Sequence, residues 1–157
     1  MAFENEIQII LQKMKLFKGL PDDELEVIGP FGKRVKFERN QTIIKEGASK
    51  PGLHVLISGE IEVLLPKNNT SNKRLSNIHL CKMERGDYFG EYSLIDNEPA
   101  SASVVAKENC LIFYISCSNF EKLIEAHKVI GGKIFRNMLE VLVKRLRNYD
   151  QELDMII

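Results

Sequence analysis

The chain has 157 residues, 44% apolar and 28% charged, with 22 basic and 22 acidic side chains and a formal net charge of +0. That length suits one compact domain with a helical extension, and the balanced charge argues against a chain built to grip nucleic acid. No apolar run reaches bilayer length, and the N-terminus carries Glu4 and Glu6 rather than the basic start of a secretory leader. The expectation is therefore a cytoplasmic protein with no nucleic-acid or membrane partner.

Ile7, Ile10, Leu11, Met14 and Phe17 recur at helical spacing, which predicts an amphipathic helix ending near Gly19. Pro21, Asp22, Asp23 and Glu24 suit a helical first turn, where free amides and the dipole favour acids. This second helix should stop near Gly29-Pro30. From Lys33 the apolar period becomes two: Val35 and Phe37, then Thr42-Ile43-Ile44, then Leu53 to Ile57 and Ile61 to Leu65 around the Ser58-Gly59-Glu60 reversal. These read as short strands joined by turns, with Asn40 at a position that tolerates a positive φ. The polar run from Pro66 to Arg74 reads as a mobile hairpin tip. Leu75, Ile78, Leu80 and Met83 mark the next strand. Ala102 to Ala106 and Leu111 to Ile115 close the set.

Helix resumes after Ser118-Asn119, with Phe120, Leu123 and Ile124 as its apolar face. Gly131-Gly132 reads as a helix break and hinge, and a last helix should run from about Lys133. In it Phe135, Leu139, Leu142, Leu146, Tyr149, Leu153 and Ile156 repeat at alternating spacings of four and three, an a/d seam that predicts pairing with a second copy in a homodimer. Met138, Val141 and Arg145 form a neighbouring stripe. Acids at 150, 152 and 154 oppose the helix dipole and should weaken the tip.

Cys81, Cys110 and Cys117 are an odd count without metal-ligand spacing and read as buried, reduced thiols. His54, His79 and His127 form no cluster, and the first two fall in strand-like runs as structural side chains. There is no nucleophile beside a base, no catalytic pair of carboxylates and no metal site. The expectation is a non-enzyme with no catalytic residue and no cofactor.

The richest stretch is Gly86-Asp87-Tyr88-Phe89-Gly90-Glu91-Tyr92-Ser93-Leu94-Ile95, followed by Pro99-Ala100-Ser101-Ala102-Ser103-Val104. Gly90 precedes a segment able to form one helical turn, whose first amides lack internal partners and suit an anion. Glu91 is an acceptor for sugar hydroxyls, and the small residues from Ala100 leave room for a planar group. The order of these parts resembles the phosphate-binding cassette of the cyclic nucleotide-binding domain family, of the catabolite-activator and protein-kinase-A-regulatory type. The Gly47, Gly59-Glu60 and Leu16-Phe17 patterns resemble its barrel and helical lead-in.

The resemblance implies a mainly β fold: a β-roll or jelly roll over 32–117, after a helical lead-in over 1–31, with a C-terminal hinge and dimerisation helix over 118–157. It implies a ligand site at Phe89, Gly90, Glu91, Tyr92, Ser93, Ala100, Ser101 and Ala102, taking cAMP or cGMP. Glu91 would hold the ribose hydroxyls and the Gly90-Glu91 amides the phosphate. Where the family carries an Arg against the phosphate, this chain has Ala100, so binding is expected to be weak or absent unless Arg85 or Lys107 swings in. Some relatives add a helix-turn-helix after the long helix, and the chain is expected to have none before Ile157. Two readings stand: a regulatory module that senses a cyclic nucleotide and relays through its last helix, or a module with a degenerate pocket serving as a dimerisation or docking unit.

Overall fold

A computed structural model describes residues 2–67 and 74–156. Most of the predicted hairpin tip, residues 68–73, lies outside the described residues. The elements are α1 (Ala2–Leu11), a 3-10 turn at Lys15–Phe17, α2 (Asp22–Ile28), a second 3-10 turn at Gly29–Phe31, strands β1 (Lys33–Phe37), β2 (Thr42–Ile44), β3 (Leu53–Ser58), β4 (Ile61–Leu65), β5 (Ile78–Met83) and β6 (Tyr88–Phe89), then α3 (Glu91–Asp96), β7 (Ser103–Ala106), β8 (Cys110–Ile115), α4 (Cys117–Ala126) and α5 (Lys128–Ile156). The described strands form two four-stranded antiparallel sheets, ordered β1-β8-β3-β6 and β2-β7-β4-β5. This is the β-roll with flanking helices and a long C-terminal helix that the family resemblance implied.

The near-continuous apolar run of β3 has a direct cause: both faces of its sheet are covered. Leu53, Val55 and Ile57 point to a core shared with the lead-in helices, α4 and α5. Leu56 points the other way, into a second core between the sheets with Ile61, Phe89, Val104 and Ile112. β8 divides likewise, Phe113 and Ile115 facing the first core and Cys110 and Ile112 the second.

Four expectations are corrected. The first helix ends at Leu11, well before Gly19. Met14, Leu16 and Phe17 are all buried, and a 3-10 turn, tied by the Lys15 amide to the Gly86 carbonyl at 3.2 Å, turns all three inward where one helical stripe would not. Gly131-Gly132 does not break the last helix. The chain turns at His127 (φ −134°, ψ 73°), and α5 runs unbroken through both glycines. A Cβ on Gly131 would stand 3.2 Å from the Ile124 side chain, so this glycine lets α4 and α5 approach. Burial of Ile130, Ile134 and Met138 outweighs the ~1 kcal/mol that a helical glycine costs. Cys81 is exposed, whereas Cys110 is buried and Cys117 half-buried. Leu75, 97% exposed, lies outside β5.

α5 is fastened along its first half. Asn137, buried, donates through Nδ2 to the carbonyls of Leu16 at 2.8 Å and Lys18 at 2.9 Å. Lys133 meets both carboxylate oxygens of Glu24 at 2.8 Å. No described helix is long and apolar enough to cross a membrane.

Candidate ligand site

The cassette is held in place by backbone geometry. Gly90 has φ 84°, and a Cβ there would lie 2.1 Å from the Gly52 carbonyl oxygen, so only glycine fits between β6 and α3. That carbonyl also accepts from His54 Nδ1 at 3.1 Å. The His54 ring stacks on Phe89 at 4.9 Å, and burial lowers its pKa from 6.5 to about 4. His54 is thus a neutral structural donor under the cassette. The second half of the cassette is tied down at Ala100, whose amide donates to Ala48 at 2.9 Å and whose carbonyl accepts from Gly47 at 2.8 Å.

Between these anchors lies a cavity of about 160 Å³. Phe89, Gly90, Glu91, Tyr92, Ser93, Ala100, Ser101 and Ala102 all line it. β5 adds Leu80 and Cys81, and α5 adds Arg145 and Tyr149. On its far side a larger apolar groove of about 390 Å³ runs between α3 and α5, walled by Tyr88, Ile95, Phe135, Met138, Leu139 and Leu142. Glu91, Tyr92 and Arg145 belong to both spaces and form the partition. The smaller cavity alone falls below the ~300 Å³ at which small-molecule sites begin. α5 therefore stands close over the cassette.

The partition is electrostatic. Arg145 Nη1 donates to Glu91 Oε1 at 3.3 Å, with side chains 29% and 13% exposed. Burial pushes the Glu91 carboxyl above its ordinary value, against the pull of its own backbone amide and of Arg145. Burial disfavours the Arg145 charge too, but Glu91, Tyr92 and Tyr88 hold the guanidinium protonated beyond its usual range. Burial lifts the Tyr88 phenol to about 12.

The two cations weighed as substitutes for the missing cassette charge, Arg85 and Lys107, do not line the cavity. Lys107 Nζ is 2.8 Å from the buried Glu62, which also pairs with His79. Arg85 is exposed and off the lining. The cation that does line it, Arg145, lies outside the residues predicted for the site. Its signal was in the sequence: it extends the Met138–Val141 stripe, and Met138 is buried. The predicted dimer seam is split. Phe135 packs edge-on against Phe120 at 5.9 Å, while Leu139, Leu142, Leu146, Tyr149 and Leu153 are 40–59% exposed.

Comparison with known proteins agrees with this geometry. The sequence model of the cyclic nucleotide-binding domain matches residues 34–127. A cGMP-dependent protein kinase of Plasmodium berghei is 31% identical over 152 residues, which are 96% of this chain and 15% of that kinase. A cAMP-dependent protein kinase regulatory subunit of Aspergillus fumigatus is 31% identical over 117 residues, 74% of this chain and 26% of that subunit. The chain thus spans about a quarter or less of these relatives. Among solved structures, a cyclic nucleotide-binding domain from Methylobacillus flagellatus superposes with a TM-score of 0.79 at 26% identity, covering 98% of this chain and 84% of that one.

Proposed function

This chain belongs to the cyclic nucleotide-binding domain family, and on that footing we propose that it is a non-catalytic regulatory module that senses cAMP, cGMP or a related ligand and relays occupancy through α5. The observation that carries this reading is the convergence of all eight cassette residues on one cavity whose outer wall is α5 itself, through Arg145 and Tyr149. Glu91 accepts the ribose hydroxyls. The amides at the start of α3 and the Ser101 hydroxyl take the phosphate. A ligand larger than the present cavity displaces α5, and its preference for the displaced arrangement shifts the population.

Calorimetric titration with cAMP and cGMP tests the reading. Saturable binding at micromolar concentration supports it. No heat and no thermal shift at millimolar concentration of either nucleotide overturns it in favour of the docking reading.

The exposed seam supports a second role beside sensing. Leu139, Leu142, Leu146 and Leu153 repeat at heptad spacing along an exposed stripe of α5, and a second α5 is the partner that this spacing fits. The proposed assembly is a homodimer through paired α5 helices. A helix motion begun at the cassette then reaches the partner subunit directly.

A further inference from the structure

The cassette cavity contains one carboxylate, Glu91, and one guanidinium, Arg145, and at present they neutralise each other. Any anionic ligand entering it needs a cation of its own. Ala100 and Ser101 offer none, Lys107 is committed to Glu62, and Arg85 is off the lining. We infer that Arg145 is the counter-charge for an anionic ligand in this cavity, delivered from α5 and released for the task when ligand hydroxyls take its place on Glu91. This rests on the reading that the cavity accepts a cyclic nucleotide.

Three features of the pair suit such an exchange. It is a single contact of 3.3 Å, longer than the ~2.7–2.9 Å of a well-made charge-assisted bond. A guanidinium has five N–H donors, so most of the fork is free of Glu91. Arg145 also borders both the cassette cavity and the groove beyond it, so its arm has space on either side. The exchange conserves charge-assisted bonds: Glu91 trades a guanidinium donor for sugar hydroxyls, and Arg145 trades a carboxylate for the phosphate. Because the cation sits on the helix, binding the anion and placing α5 become one event.

The test compares the wild type with Arg145→Gln, Arg145→Lys, Ala100→Arg and the Ala100→Arg/Arg145→Gln double variant, by calorimetry with cAMP, cGMP and uncharged adenosine. Loss of one charge-assisted partner predicts that Arg145→Gln binds the cyclic nucleotides about ten- to a hundredfold more weakly. Adenosine affinity should stay within about threefold of wild type, since the nucleoside carries no anion. Arg145→Lys should fall between the two, keeping the charge without the fork, and Ala100→Arg should restore nucleotide binding to the double variant. Unchanged cyclic nucleotide affinity in Arg145→Gln overturns the assignment. So does an equal loss of adenosine, which would make Arg145 merely structural. If Ala100→Arg binds and the wild type does not, the cavity is a nucleotide site and Arg145 is not its cation. If no variant binds at millimolar ligand, the sensing reading falls together with the assignment.

Discussion

Asn137 is the most exacting single contact between α5 and the rest of the chain. One amide nitrogen satisfies two carbonyls, Leu16 at 2.8 Å and Lys18 at 2.9 Å, from a side chain only 8% exposed. Asn137→Ala leaves both acceptors without that donor. An orphaned buried acceptor costs about 1–3 kcal/mol. The Leu16 bond is fully buried and belongs toward the upper end; the Lys18 bond is partly wet and belongs at the lower. The expected loss is therefore ~3 kcal/mol, against a total of about 5–15 kcal/mol for a domain. With a urea m-value of ~2 kcal/mol/M, the midpoint should fall by ~1.5 M. Asn137→Asp should be worse at pH 7, because it sets a carboxylate against two carbonyl oxygens and keeps no donor. A midpoint for the alanine variant within ~0.5 M of wild type, or an aspartate variant as stable as the alanine one, would refute the claim that this amide fastens α5 to the lead-in turn.

Two further outcomes follow from the same structure. His54 has a pKa of about 4 when folded against 6.5 ordinarily. Between those values the unfolded chain binds more protons, so this group's contribution to stability is full above pH 6.5 and is lost as the pH falls toward 4, by up to ~3 kcal/mol. Urea titrations from pH 7 to pH 4.5 should show a shallower decline for His54→Gln than for wild type, and parallel declines would contradict the assignment. For the seam, Leu142→Asp puts a charge on the proposed helix pair and should halve the mass measured by light scattering, with helicity unchanged; an unaltered mass would remove the pairing proposal.

The cassette was legible because its parts are contiguous: Phe89 to Ser93 and Ala100 to Ala102 lie within fourteen positions, and the turn chemistry of Gly90 is local. The strands were legible because their period of two reports a buried face directly. Arg145 was legible as part of the Met138–Val141 stripe, but its place in the cavity was not, because it meets Glu91 across 54 positions. Which side chain of a helix looks into a cavity depends on its rotation, and that is fixed by Ile130, Ile134 and Met138 packing on distant elements. The paired glycines misled for the opposite reason. Their local preference is weak, about 1 kcal/mol each, and packing overrode it. Met14 and Phe17 read as helical through their spacing, yet a backbone bond to Gly86 imposed a tighter turn.

α5 is one continuous rod of 29 residues whose last buried side chain is Met138, and on the relay proposed above it would act as a lever with its fulcrum near that methionine. At a rise of about 1.5 Å per residue, Arg145 sits roughly 10 Å along the arm and Ile156 roughly 27 Å. On that proposal, a displacement at the guanidinium would be magnified about two and a half times at the tip. The mechanical gain would come from where the rod is clamped, with no joint at the glycines, through which α5 runs unbroken.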